Sequence, residues 1–288
     1  MSAPHSPDEL IQFIQSQYAD LSPQFQAGAR YLIDHPAQVS TLSARKVATL
    51  AGVQPATLVR LAQHLGYAGW EALKSVFTRA LQQHPGSYAA RAQSLIDSSE
   101  PAQTAWLNAA QQQSRNLMAL EPANRSALDS AVTQLLGASR IVIAGFRSSY
   151  PPAFSLCYLC SLFRPDVHLL HNAGGTMSLD LHHLQATDAV VLISYTPYSR
   201  EIIQVAEAAH AQGCAVLALC DSQVAPIALR ADHILTFPTQ GHSFFPSTVA
   251  VQSLVEMLAQ QLLVRSGERA IAELSRTEAS LQATGAYA

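Results

Sequence analysis

From Arg140 onward the chain repeats a pattern that few folds accommodate, in which short apolar runs are separated by segments of helical periodicity. The runs are RIVIAG at 140–145, VHLLH at 167–171, AVVLIS at 189–194, AVLALC at 215–220 and HILTF at 233–237. RIVIAG, AVVLIS and AVLALC do not alternate apolar with polar residues, so they suit strands buried on both faces, as in a parallel sheet. Between the runs, residues 152–163, 178–184 and 199–212 carry apolar side chains at helical spacing. A shorter turn near 225–230 joins the last two runs, and a long amphipathic segment at 247–264 closes the pattern. Strand–helix alternation of this kind predicts a doubly wound α/β domain.

The earlier part of the chain reads as all-α. SPQFQAGARYLIDHP sets Phe25, Ala29, Leu32 and Ile33 on one helical stripe, and Pro36 stops it. LSARKVATLAG repeats the device with Val47, Leu50 and Ala51, closed by Gly52. VQPATLVRLAQHLG then buries Leu58, Leu61, Ala62 and Leu65, ends at Gly66, and turns Ala56, Thr57, Arg60 and Gln63 to the opposite face. HPGS at 84–87 reads as a hinge. Residues 88–136 are again helical in pattern, with breaks near Glu100-Pro101 and Glu121-Pro122. Trp106, Ala109, Ala110, Gln113 and Leu117 mark one helix of a connector expected to pack on the second domain. The division is therefore 1–83, a helical connector at 84–136, and an α/β domain at 137–288.

Composition narrows the function classes. Hydrophobic residues are 49% and charged residues 13% of the 288, enough for a large core and too little charge for a disordered chain. A net charge of -3 excludes a protein that coats nucleic acid over its whole surface, while a local patch still suffices for a DNA-reading module. No apolar run reaches the length of a membrane span, and MSAPHSPDEL lacks the basic and apolar regions of a secretory signal. The expectation is a cytoplasmic protein without membrane contact. Cys157 and Cys160 form a CxxC, but inside the apolar run FSLCYLCSLF, where small buried helix residues are expected. No second pair has zinc-like spacing, so neither metal nor cofactor is expected.

Two short helices joined at AGVQ suit a helix-turn-helix, in which the second helix enters the major groove, and on pattern alone they suit a plain helical bundle equally well. Its leading residues are Gln54, Pro55, Ala56, Thr57 and Arg60. Glutamine pairs with adenine in a bidentate way, arginine with guanine or phosphate, and Ala or the Thr methyl with a thymine methyl. Arg45 and Lys46 on the preceding helix are placed to meet the DNA backbone.

In an open parallel sheet, ligands bind beyond the carboxyl ends of the strands. Two such ends are serine-rich. GFRSSYPP places Ser148 and Ser149 before a helix start, with Gly145 allowing a sharp turn off the strand and Arg147 adding a cation. SYTPYSRE places Ser194, Thr196 and Ser199 before the next helix. Hydroxyls and free N–H groups at a helix start form an anion site, although serine also caps helices without any ligand.

LSARKVATLAGVQPATLVRLAQHLGYAGWEALK, RIVIAGFRSS and DAVVLISYTPYSREIIQVAEAAHAQGCAVLAL together resemble the RpiR family of bacterial transcriptional regulators, a helix-turn-helix followed by a sugar-isomerase (SIS) domain. The resemblance runs from about Leu21 to Leu263. It implies an operator in double-stranded DNA, a five-stranded parallel sheet flanked by helices, and a phosphosugar or related acidic effector at the strand tips. The family's phosphate ligands map onto Ser149, with Ser148 adjacent, and onto Ser194, Thr196 and Ser199. Arg147 and Pro197 stand where the family often has glycine; proline removes an N–H, and the arginine side chain fills part of the mouth. SIS domains commonly pair, so an even-numbered homo-oligomer, a dimer or tetramer, is expected.

The resemblance also admits an enzyme, because SIS domains occur in phosphosugar isomerases. An isomerase needs a base near the sugar carbon. Glu201, His171 and His242 are the candidates, and each has a simple structural reading, Glu201 as an acid in the first turn of a helix. No lysine follows Lys74, so the α/β domain holds no amine nucleophile. Regulation is the preferred reading. A pure oligomerisation module built on 247–264 and 154–163 is a third.

Overall fold

The computed structural model describes residue 4 and residues 7–83 and 88–286; the HPGS stretch read as a hinge lies outside the described residues. The chain forms two compact units, Met1–Ser99 and Glu100–Ala288.

The described part of the first unit is helical: α1 (Pro7–Gln17), α2 (Pro23–Asp34), α3 (Pro36–Thr41), α4 (Ala44–Leu50), α5 (Pro55–His64), α6 (Trp70–Gln83) and α7 (Tyr88–Ser98). Ser22 and Ser43 start α2 and α4, each hydroxyl accepting the N–H three residues on. Pro36 ends α2 as expected but also opens α3, because a proline at the first helical position loses no helix bond. Lys74 on α6 donates to the Leu42 carbonyl at 2.9 Å, tying α6 to the end of α3. The stripe Leu58, Leu61, Ala62 and Leu65 is buried as the sequence predicts. On α4 the buried pair is Val47 and Ala48, and Leu50 is 48% exposed. At 3.6 residues per turn, that pair brings Ala51 back to the stripe and turns Leu50 to its edge.

α4 and α5 end alike. Gly52 takes φ +69°, its N–H bonding Thr49 O while Val53 N–H bonds Ala48 O at 2.9 Å. Gly66 takes φ +90°, its N–H bonding Gln63 O while Tyr67 N–H bonds Ala62 O at 3.0 Å. Both are Schellman closures, which need a residue free to adopt the left-handed conformation.

The second unit opens with α8 (Ala102–Met118) and α9 (Leu120–Gly137). The break falls at Ala119 rather than at Glu121-Pro122, because Pro122 is accommodated in the first turn of α9, where N–H groups lack helical partners. The expected strands follow as β1 (Arg140–Gly145), β2 (Val167–Leu170), β3 (Asp188–Ser194), β4 (Ala215–Cys220) and β5 (His233–Thr236). They form one parallel sheet in the order β2-β1-β3-β4-β5. The intervening helices are α10 (Tyr150–Ser161), α11 (Met177–His182) and α12 (Arg200–Ala211), followed by α13 (Val249–Ser266) and α14 (Glu268–Ala283).

The uninterrupted apolar strands serve both faces. Ile141, Ile143, Val191 and Ile193 join the core with α9, α10 and α13, while Val142, Ala144, Val190 and Leu192 join the one with α11 and α12. Two polar devices fix the sheet margins. Arg140 pairs with buried Asp188 at 2.5 Å across the starts of β1 and β3. Asn124 on α9 donates to Thr236 O at 2.8 Å and accepts from Thr236 N–H at 2.6 Å, closing the end of edge strand β5. Cys157 and Cys160 lie on α10 as free thiols, and burial pushes the Cys160 thiol up to about 12. Among the described residues no helix is long and apolar enough to cross a membrane.

Candidate anion site and nucleic-acid interface

β1 and β3 are neighbours, with Gly145 opposite Ile193, so their carboxyl ends deliver two loops side by side. Glycine at 145 is required by space rather than by the turn expected from sequence. A Cβ there would lie 2.5 Å from Ser149 O and 2.7 Å from Ala153 Cβ, so α10 seats directly on the strand end. The unusual backbone comes two residues later. Arg147 takes φ +55°, in the left-handed region that non-glycine residues rarely occupy. From it a single 3-10 turn, Arg147–Ser149, leads into α10, with Ser149 N–H bonded to Phe146 O at 3.0 Å. Pro151 and Pro152 occupy the first turn of α10, as the sequence predicts.

Ser149 and Ser194 are each 4% exposed, and neither hydroxyl has a hydrogen-bond partner among the described residues. The residues are buried but their hydroxyls are not sealed from solvent, so each is open to a ligand or to water. Ser148 is half-buried and Arg147 exposed; the guanidinium makes no ion pair or hydrogen bond among the described residues.

The loop after β3 is built differently from the sequence expectation. Asp221, the residue after β4, accepts from Thr196 N–H at 3.0 Å and from the Tyr198 hydroxyl at 2.6 Å. The Thr196 amide is thereby committed within the protein, and its side chain is left exposed. Burial, and next the charge of Asp221, raise the Tyr198 phenol above its ordinary value, so it stays a donor. Ser199 caps α12, its hydroxyl accepting from Ile202 N–H at 3.3 Å. Glu201 lies in the first turn of α12. Its own N–H, and then the Ser199 hydroxyl, lower its carboxyl below the usual range despite some desolvation, with Arg147 and Arg200 adding to the effect. Asp221 was not singled out from sequence, and its one signal is a carboxylate immediately beyond the end of a buried strand.

The other two candidate bases are exposed. His171 accepts from Ala173 N–H at 3.5 Å, and His242 lies between β5 and α13.

In the first unit α4 and α5 form the expected helix-turn-helix around Gly52. Arg45, Lys46, Gln54, Pro55, Ala56 and Arg60 are exposed and Thr57 is half-exposed. Gln54 holds the N-cap position of α5 without a side-chain cap bond, unlike Ser22 and Ser43.

Comparison with known proteins matches both units. A family model described as a helix-turn-helix domain of the rpiR family covers residues 9–84, and a SIS domain model covers residues 134–262. The chain is 28% identical over 230 residues to the HTH-type transcriptional regulator YfhH of Escherichia coli, spanning 77% of this chain and 79% of that one. It is 25% identical over 284 residues to the HTH-type transcriptional regulator HexR of Pseudomonas aeruginosa, spanning 96% of each. Among solved structures, the sugar isomerase domain of an RpiR transcription factor from Sphaerobacter thermophilus superposes with a TM-score of 0.57 at 27% identity, over 60% of this chain and 97% of that one. The NanR protein of Vibrio vulnificus, solved with ManNAc-6P, shares the fold at 18% identity and a TM-score of 0.52, over 94% of this chain and 98% of that one.

Proposed function

The chain belongs to the RpiR family of transcriptional regulators, a helix-turn-helix domain ahead of a SIS domain, and from that premise we propose that it binds duplex DNA under the control of a phosphorylated sugar or related acidic metabolite. We assign the division of labour as 1–83 for DNA, 84–136 as connector and 137–288 for the effector, in a dimer or tetramer. The observation that carries the effector half is the pair of largely buried serines, Ser149 and Ser194, at adjacent strand tips, whose hydroxyls have no partner among the described residues and stay open to a ligand, beside an arginine in a left-handed conformation. Hydroxyl and amide donors with one nearby cation suit a phosphate ester. Ser148 and Thr196 flank them, while Ser199 contributes through its cap on α12.

The protein binds this metabolite without converting it. The N–H groups at the start of α12 lower the Glu201 carboxyl, which makes it a weaker base than proton abstraction calls for, and no lysine follows Lys74. Arg45 and Lys46 meet phosphates, and Gln54, Pro55, Ala56, Thr57 and Arg60 face the bases. The test has two arms on the full chain. Thermal shift against sugar phosphates and small acids should find a stabilising ligand, worth roughly 2.7 kcal/mol at 100 times its dissociation constant. NMR should show that ligand unchanged, whereas isomerisation above background would give the domain to the enzyme reading. Selection from a random duplex pool should yield a preferred site, with Arg60→Ala losing about 1–3 kcal/mol at one base position. Absence of any salt-dependent duplex binding would end the regulator reading.

A further inference from the structure

The DNA-facing surface extends beyond the helix-turn-helix. An open cleft of about 700 Å³ is walled by Arg45, Thr49, Gly52, Gln54 and Pro55 from α4, α5 and the turn between them, and by Gln24 from α2. Ala48 and Val53 form the rest of its lining, so among the described residues no carboxylate lines it. Three of its side chains are unspent. Gln24, Arg45 and Gln54 are exposed and make no side-chain hydrogen bond or ion pair among the described residues. Thr49 is committed, its hydroxyl donating to Arg45 O at 3.0 Å. Gln54 matters most to the direction of the cleft. It stands at an N-cap, where a short Ser, Thr, Asp or Asn gives about 1 kcal/mol more than residues that cannot cap. α5 starts uncapped, as do α3, α8, α9 and α13, so the Gln54 carboxamide stays free for an outside partner.

We propose that this cleft seats a phosphodiester segment of duplex DNA, with Gln24 as a backbone contact outside the helix-turn-helix. The proposal rests on the reading of the first domain as a DNA binder and extends it to a third helix. The Gln24 carboxamide offers two N–H donors, the chemistry that fits a phosphate oxygen. Arg45 supplies the charge on the α4 wall, and Gln54 on the α5 wall passes from the backbone to the base edges. The neutral side chain at 24 positions the strand without adding to the salt dependence of binding, which follows the number of phosphates neutralised by cations.

The test uses the full chain and two duplexes, one selected from a random pool and one of scrambled sequence, followed by fluorescence anisotropy across a salt series. Gln24→Ala should weaken both duplexes by a similar factor, about tenfold for a lost bond to a charged group. Gln24→Lys should tighten both and steepen the dependence of log K on log salt by about 0.9, one added phosphate neutralised. Gln24→Glu should weaken both. Gln54→Ala should act mainly on the selected duplex. If Gln24→Lys leaves the slope of wild-type binding unchanged, or Gln24→Ala affects the selected duplex alone, the cleft is not a phosphate seat. If wild-type protein binds neither duplex, the DNA-binding reading itself fails, and the cleft falls with it.

Discussion

Arg147 offers a test in which backbone and side chain are separated by two substitutions at one position. Its φ of +55° lies in the region where an L-residue crowds Cβ against the next carbonyl, at about 1–2 kcal/mol. Arg147→Gly removes that strain but loosens the unfolded chain, which returns about 0.4–1 kcal/mol. The net expectation is a stabilisation of about 0–1.5 kcal/mol. Arg147→Ala keeps the strain, and because the arginine makes no hydrogen bond or ion pair among the described residues, its stability should stay within about 0.5 kcal/mol of wild type. For a unit of this size the glycine variant should melt up to about 5 °C above the alanine variant by calorimetry. Binding should move the other way. Both variants lose the one guanidinium at the β1 tip, so affinity for inorganic phosphate and for whichever sugar phosphate stabilises wild type should fall about tenfold or more in each. A glycine variant that melts below the alanine variant would refute the strain. Unchanged phosphate affinity in both would show that the guanidinium does not face the anion.

Three more outcomes follow from contacts already described. Gly145→Ala should cost about 1–3 kcal/mol by overpacking, since the new methyl meets Ser149 O at 2.5 Å, and it should displace Ser149 enough to reduce phosphate binding; calorimetry and titration read the two effects. Asp221→Asn should loosen the loop after β3, because the amide offers one acceptor where two donors now bind, and hydrogen exchange at the Thr196 amide should quicken while that of the β3 core does not. Asp188 is held below its usual value: desolvation opposes the charge, but hydrogen bonds from Arg140 and Gln185 N–H outweigh it. A lowered folded pKa gives stability that is complete above the unfolded value, about 3.9, and is lost as pH falls through the folded value. Wild type should therefore lose melting temperature below about pH 4 more steeply than Asp188→Asn, and parallel curves would remove Asp188 from the acid transition.

The sheet was legible because each central strand serves two cores, so RIVIAG and AVVLIS had no polar face to disguise them. α14 was not, because its apolar residues are few and mostly exposed, Ala270 alone being buried and Leu274 partly so against the core. Leu50 misled for a related reason: α4 has seven residues, too few for the period to separate a stripe from its edge. The serine-rich tips could be read because a ligand site in such a sheet has a fixed place. What the tips lacked in sequence was their conformation. Nothing in the letters FRSS says that arginine, and not glycine, takes the left-handed turn, nor that Gly145 answers to a carbonyl four residues on. Asp221 was hidden by distance, since its partners lie 25 and 23 residues away along the chain.

Positive φ elsewhere in the described residues shows why the β1 tip is more than a turn. It is taken by Gly52, Gly66, Gly174, Gly175, Gly213, Gly267 and Gly285, and by two other residues, Ser99 and Arg147. Ser99 follows the last residue of α7, the place where a helix commonly reverses into this conformation, so the helix end accounts for it. Arg147 follows a strand, and among the described residues its side chain makes no hydrogen bond or ion pair, beyond a minor electrostatic interaction with Glu201. A conformational cost without structural return persists where the residue serves something outside the fold. Gln54 in the first unit is likewise unspent, an exposed carboxamide at the start of α5 with no side-chain hydrogen bond among the described residues. The two side chains differ in chemistry as their proposed ligands do. One is a cation beside two accessible serine hydroxyls, suited to a small anion at a strand tip, and the other a carboxamide on an open cleft, suited to an extended polyanion. Packing alone explains neither residue, and each becomes reasonable when its unit is given a ligand.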